Sequence, residues 1–283
     1  MKNVTKSIIC ALALLAAPAA MAQSHDSAAP LKAAYDGGFA PFVFTGDDGN
    51  TTGFTYDLSI ALAAQMGRPA FEPVDTPFSS IFAGLQADRY ELIVAPVNGT
   101  EARAETMLFS EPYLSTESSV LTRKGEGVGS LEELTGKVIA VNNGSGADKE
   151  ATEWAEEYGF SVERYNSQPD ALRAVMSGRA YGTMADASAS RYVAAQTPAV
   201  EVAFTIPVGL NVSFFFRKDD VAFRDEVELA LECLKSDGTF AQIFEKWFGV
   251  LPPEGSASAT IYPGFGAPGF EGYDETPHEL TCG

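Results

Sequence analysis

The stretch "LIVAPVNGTEARAETMLFSEPY", Leu92 to Tyr113, carries the first decision about this chain. Leu92-Ile93-Val94-Ala95 is an apolar run that reads as a buried strand. Thr100 reads as a helix N-cap, with Glu101 and Ala102 as the first helical residues. Arg103 therefore falls in the first turn, where the helix dipole is positive and a cation is disfavoured. A capping box would hold Glu or Gln at that position. Three and four positions away stand Gly99, Thr100, Thr106 and Met107, so no helical carboxylate answers the guanidinium. A strand running straight into a helix is an α/β signature, and the arginine at the junction asks for a partner from elsewhere.

Outward from this junction the chain alternates strand and helix. Leu31 to Tyr35 reads as a strand ending at Asp36, Tyr56 to Met66 as an amphipathic helix closed by Gly67, and Phe78 to Ala87 as a second helix. After an extended segment around Val120-Leu121-Thr122 the pattern restarts. A short helix, Leu131 to Leu134, precedes a strand, Lys137 to Val141, and helices at Asp148 to Tyr158 and Pro169 to Ser177. The strand Tyr181 to Ala185 ends at Asp186, and helices follow at Phe223 to Lys235 and Thr239 to Phe248. This alternation predicts α/β lobes with mainly parallel sheets. Beyond Leu251 the segment "PPEGSASATIYPGFGAPGFEGYDETPHELTC" has no period and is rich in Gly and Pro, which predicts an irregular tail over 252–283.

The start of the chain predicts export. Lys2 and Lys6 precede an apolar stretch, Ile8 to Ala17, and Ala20-Met21-Ala22 is an A-x-A site, so residues 1–22 read as a signal peptide cleaved after Ala22. No later apolar run approaches the roughly 18 residues of a membrane span. Loss of Lys2 and Lys6 would move the formal charge from −19 to −21. Such acidity argues against nucleic acid and anionic membranes as partners. The chain contains 2 histidines, His25 near the new N-terminus and His278 in the tail, so no His-based triad or His-rich metal site is expected in the core. Walker A and CxxC motifs are absent, and no cofactor is expected. Cys10 leaves with the signal; Cys233 and Cys282 remain in an oxidising compartment and can pair.

Three features bear on the arginine. Arg103 stands beside the free amides that begin its own helix. Asn143-Gly144-Ser145-Gly146 opens another helix directly after a strand and offers a second anion-binding terminus. Asp36 and Asp186 end apolar strands, at the edge where open α/β sheets carry ligands. Each has a plainer reading: a surface ion pair for Arg103, a simple turn at Gly144-Ser145-Gly146, and helix caps or turn formers for the aspartates. Phe39, Phe42 and Phe54 would by default be core aromatics. Taken together, an anion held by arginine and amides beside a cation held by a carboxylate describes a zwitterion, of which an α-amino acid is the simplest.

From Leu31 to Leu251 the chain resembles the bacterial extracellular solute-binding proteins of type 3, which serve ABC importers. The matching stretches include Asp36-Gly37-Gly38-Phe39-Ala40-Pro41-Phe42, Gly53-Phe54-Thr55-Tyr56-Asp57-Leu58, Thr100-Glu101-Ala102-Arg103 with Phe109-Ser110-Glu111-Pro112-Tyr113, Leu134-Thr135-Gly136-Lys137, Ala185-Asp186, and Asp237-Gly238-Thr239 with Lys246-Trp247-Phe248-Gly249. The resemblance implies a two-lobed periplasmic-binding-protein fold of type II, with two hinge strands and the ligand in the interlobe cleft. It implies a first lobe from residues 31–116 and 214–251, a second from 117–213, and hinges at Ser115–Ser119 and Asn211–Phe215. It assigns the ligand carboxylate to Arg103, Asn98 and the amide of Gly146, and the ammonium to Asp186 and the carbonyl of Pro96. Asp36, Phe39 and Phe54 would line the side-chain pocket. Asn98 and Gly146 depart from the hydroxyl residues usual at those positions, but both keep a backbone N–H. The implied protein is a monomeric periplasmic receptor delivering a small zwitterion to an ABC transporter permease. The alternative is a cyclohexadienyl dehydratase-like enzyme on the same scaffold, with Asp36 as general acid. A Cys233–Cys282 disulfide would tie the tail to the first lobe.

Overall fold

A computed structural model describes residues 25–282; the predicted signal peptide and its cleavage point lie outside the described residues. In chain order the first part comprises β1 (Leu31–Tyr35), β2 (Phe44–Thr45), β3 (Thr51–Thr52), α1 (Phe54–Gln65), β4 (Phe71–Asp75), α2 (Phe78–Gln86), β5 (Leu92–Asn98), α3 (Glu101–Ala104), β6 (Met107–Phe109) and β7 (Leu114–Arg123). There follow β8 (Val138–Asn142), α4 (Gly146–Tyr158), β9 (Ser161–Tyr165), α5 (Gln168–Met176), β10 (Gly182–Asp186) and α6 (Ala187–Gln196). The long β11 (Val200–Arg217) then leads to α7 (Val221–Ser236) and α8 (Thr239–Phe248).

The main sheet runs in the order β4-β1-β5-β11-β7-β10-β8-β9, with β6 added beside β11. Strands β4, β1 and β5 are parallel at one end, and β10, β8 and β9 are parallel at the other. Between them β7 and β11 pair antiparallel, from Arg123–Val200 to Leu114–Val212. The expected hinge segments Ser115–Ser119 and Asn211–Phe215 lie within these two strands, which carry the chain between two lobes.

The run at Leu92 is continuous because its strand is covered on both faces. Leu92 and Val94 join Leu58, Leu231 and Phe244 in the core under α1, α7 and α8. Ile93, Ala95 and Val97 face the opposite core, under α2. Strand β11 does the same: Phe214 and Phe216 face one core and Phe215 the other, as the period of 2 requires. The second lobe packs Ile139 and Val141 under α4 and Ala140 under α5. Among the strands that escape pattern reading are β4 and β9. Both are sheet edges with mostly half-exposed or exposed residues, and β4 contains Pro73, which an edge tolerates. The expected helix at Leu131–Leu134 is a single 3-10 turn, Glu132–Leu134.

The tail is irregular, as its composition requires, but it is firmly attached. Cys233 on α7 is bonded to Cys282, with Cα atoms 5.6 Å apart. His278 Nε2 lies 2.8 Å from Glu232 Oε2, the Arg224 guanidinium donates to Gly272 O at 3.0 Å, and Lys235 Nζ donates to Ala257 O and Thr260 O. Buried Glu111, Glu228 and Glu232 converge beneath it. Their charges are answered by Lys235, 2.6 Å from Glu111, and by the amides of Tyr262 and Gly266. Several backbone and side-chain polar groups of this aperiodic segment find partners on α7 or beside it, which helps the tail pack without secondary structure.

Candidate functional site

Thr100 caps α3 as the sequence indicates, its hydroxyl accepting from Arg103 N at 3.3 Å. This fixes the short helix at the end of β5 and turns Arg103 into the cleft between the lobes. Its guanidinium donates to Asn98 O at 2.8 Å and lies 4.9 Å from the centre of the Phe82 ring. Among the described residues no carboxylate forms an ion pair with it. Burial pulls its pKa down to about 10. A half-buried guanidinium held by a carbonyl and aromatic faces keeps donors available for an anion.

The facing wall comes from the second lobe. Ser145 caps α4 by accepting from Asp148 N at 3.1 Å, leaving Gly146 as the first helical residue, whose N–H has no partner within the helix. Asp186 ends β10 and caps α6: its Oδ1 accepts from Ser188 N at 2.8 Å and Ala189 N at 3.2 Å. Its Oδ2 is buried with no hydrogen-bond partner, and burial raises the carboxyl pKa to about 6. Arg103, Asn98, Pro96, Asp36, Phe39, Gly146 and Asp186 all line one cavity. The structure thus gathers seven of the eight expected residues, drawn from both lobes, around one space.

Phe54 is the exception. It is 0% exposed at the start of α1, inside the first-lobe core, with rings of Phe248, Phe240 and Phe244 between 5.0 and 5.9 Å away. The helix begins two residues earlier than its apolar period indicates, so Phe54 points with Leu58 into the core and does not line the cavity. Phe78, at the start of α2, lines it instead.

The lobes meet across the mouth. Asn142, the last residue of β8, donates from Nδ2 to Asp36 Oδ2 at 2.8 Å. A Cβ on Gly146 would sit 3.2 Å from Asn98 Nδ2, and one on Gly38 would sit 2.9 Å from the Pro169 ring. Gly38 has φ +85°, so both its backbone and the close approach call for glycine. Burial raises Asp36 to about 6 against the lowering effect of the Asn142 bond. The sequence reading missed Asn142, and also Glu150, a buried carboxylate lining the same cavity and bonded to Ser118 of β7. Burial raises the Glu150 pKa, with the charge of Asp186 adding to the rise. Glu150 lies four residues after Gly146 on α4, a spacing that puts both on one helix face and could have revealed it.

A two-lobed α/β fold with an arginine and a carboxylate facing each other across the cleft defines a solute-binding receptor class. The family model for bacterial extracellular solute-binding proteins, family 3, matches residues 31–250, and the chain belongs to that family. It is 27% identical over 215 residues to the arginine-binding extracellular protein ArtP of Bacillus subtilis, covering 74% of this chain and 82% of that one. Among solved structures it is similar to an ancestral arginine-binding protein bound to arginine, with TM-score 0.75 and 28% identity, over 79% of this chain and 100% of the other. It is also similar to the ancestral amino acid-binding protein AncCDT-1, a precursor of cyclohexadienyl dehydratase, with TM-score 0.71 and 28% identity, over 77% of this chain and 95% of the other.

Proposed function

We propose that the chain is the substrate-binding component of an ABC importer, closing its two lobes on an amino acid or a closely similar zwitterion and presenting it to the permease. The observation that carries this reading is a pair of complementary charges lining one cavity: among the described residues Arg103 has no carboxylate partner, and the buried Asp186 Oδ2 has no hydrogen-bond donor. The ligand carboxylate would take Arg103 with the amides of Asn98 and Gly146, and its ammonium would take Asp186 and the carbonyl of Pro96. Asp36 and Phe39 would meet the side chain. Asp36, Glu150 and Asp186 leave the cavity richer in carboxylate than a zwitterion needs, which favours a polar or cationic side chain, in line with the arginine named for ArtP.

The same reading makes residues 31–116 with 214–251 one lobe and 117–213 the other, the mature chain a periplasmic monomer beginning after Ala22, and the protein a carrier without chemistry or cofactor. A second reading rests on one observation. Asp36 is a buried carboxyl poised near 6, as a general acid would be, and AncCDT-1 is described as a precursor of a dehydratase. Native mass spectrometry of the purified mature chain, followed by calorimetry with α-amino acids, tests the first reading. An amino acid carried through purification or bound on titration supports it. Dehydration of a cyclohexadienyl substrate by the native chain, abolished in Asp36→Asn, would replace it with the second.

A further inference from the structure

The family match ends at residue 250, yet the chain from 252 to 282 is bonded tightly to the first lobe. Its path leads to the arginine. From the Cys233–Cys282 bond and the contacts on α7, the tail passes over Gly272, where a Cβ would lie 2.7 Å from Leu108, and brings Phe270 beside Gly99. A Cβ on Gly99 would sit 3.3 Å from the Phe270 ring. Phe270 also meets Phe109 edge-on, with centroids 5.4 Å apart. Phe109 packs on Phe215 at 4.4 Å, Phe215 on Phe82 at 6.2 Å, and Phe82 lies 4.9 Å beneath the Arg103 guanidinium. The next tail residue reaches the other end of the same turn: Glu271 pairs with Lys218 at 3.1 Å, and Lys218 donates to Ala104 O, at the C-terminal end of α3.

We propose that the disulfide-tied tail is a positioning element of the binding site, bracing through Phe270 and Glu271 the four-residue helix that carries Arg103. The physical need is plain. A single helical turn closes too few hydrogen bonds to hold itself, so α3 depends on what packs around it. A carboxylate clamp loses its advantage when its geometry is loose, because a bidentate guanidinium must meet both oxygens at once. Phe270 carries most of the effect, since the Lys218–Glu271 pair is exposed enough to be screened by solvent. Asn98 and Gly99 immediately precede Thr100, so a ring held against Gly99 constrains the acceptor for Arg103 as well as its helix.

This inference rests on the reading of Arg103 as the carboxylate partner, and two measurements on the full mature chain keep the two claims apart. The first, hydrogen exchange without ligand, compares the native chain with Phe270→Ala, Phe270→Leu and, as an exposed control on the tail, Glu275→Gln. The brace predicts at least tenfold faster exchange at Gly99 to Ala104 in Phe270→Ala, a smaller rise in Phe270→Leu, none in Glu275→Gln, and unchanged protection in β1 and β8. Unchanged exchange at Gly99 to Ala104 in a folded Phe270→Ala chain would overturn the proposal, as would a uniform rise across the first lobe in Phe270→Leu. The second uses L-arginine and L-argininamide as calorimetric probes. Phe270→Ala should weaken L-arginine about tenfold and leave L-argininamide, which lacks the carboxylate, unchanged; equal losses for both would overturn the positioning role. Failure of the native chain to bind any α-amino acid would count against the reading of Arg103 instead, with the brace still decided by exchange.

Discussion

At the scale of single residues the site is two opposite charges kept waiting by the fold. Arg103 is half-buried and has no carboxylate partner among the described residues, and Asp186 uses one oxygen to cap α6 while the other has no hydrogen-bond partner among them. An unpaired buried charge is costly, so each should be worth far more with ligand than without. Arg103→Ala and Asp186→Ala are each expected to weaken binding of the native amino acid by about 2–5 kcal/mol, the range for truncating one side of a buried charge pair. Calorimetry checks this, and an Arg103→Ala chain that binds as tightly as the native one would make Arg103 an ordinary buried arginine. The pH dependence follows from the same residue. The raised carboxyl of Asp186, near 6, is neutral below that value and cannot hold an ammonium. Affinity should therefore fall as pH drops from 7 to 5, and the part of the fall owed to this carboxyl should vanish in Asp186→Asn, leaving a shallower dependence from Asp36 and Glu150. Measured affinity in the native chain that does not change between pH 7 and 5 would exclude Asp186 as the ammonium partner.

At the scale of elements the informative contact is between α7 and the tail. Glu228 accepts from Glu111 N at 2.9 Å and from Gly266 N at 2.8 Å, and burial with the charge of Glu111 raises its pKa to about 8. A carboxyl whose pKa is higher folded than unfolded stabilises the fold most below its unfolded value. That contribution is lost as pH rises through the folded value. Glu228 therefore predicts a decline in stability from about pH 4.5 to about pH 8, with Asp36 and Asp186 adding to the decline only up to about 6. Denaturant unfolding of the disulfide-intact chain should show it, and Glu228→Gln should flatten the portion between pH 6 and 8. A native chain equally stable at pH 6 and pH 8 would contradict the assignment. Closing the 49-residue separation of Cys233 and Cys282 restricts the unfolded chain by about 4 kcal/mol in the loop-entropy account. Denatured, unreduced protein should accordingly show no free thiol; two per chain would mean the bond does not form.

At the scale of the whole molecule, the proposed ligand contacts are split between lobes, so binding and closure should be one event. Arg103, Asn98 and Asp36 belong to the side carried by β1 and β5, and Gly146 and Asp186 to the side carried by β8 and β10. Only β7 and β11 run between them, and β11 is broken in register between Pro207 and Leu210, beside the crossing. Such a pair of strands can bend while each lobe stays rigid. Small-angle scattering should show a smaller radius of gyration at saturating amino acid than in ligand-stripped protein. Loss of the Asp36–Asn142 bond in Asn142→Ala should shift the stripped protein further toward the open form. Identical profiles with and without ligand in both proteins would argue against a hinge.

The sequence by itself determined the alternation of strands and helices, the cap at Thr100, and the conflict at Arg103, because these depend on neighbours three or four residues away. It also marked Asp36, Gly146 and Asp186, since the ends of strands and the starts of helices are local features, while Asn98 was implied by the family resemblance. Phe54 was decided by tertiary structure: one apolar residue among many in its stretch, it faces the core only because α1 begins where it does and α7 and α8 cover that face. Asn142 became part of the cleft through a contact spanning 106 residues to Asp36, which no local period encodes, whereas Glu150 shares the helix face of Gly146 and was within reach of a periodic reading. The tail shows the division most clearly. Its sequence has no period and predicts irregularity and one tie, the Cys233–Cys282 bond, whereas the rest of its hold on α7 and on the turn bearing Arg103 comes from polar groups and glycines meeting partners far away in the chain.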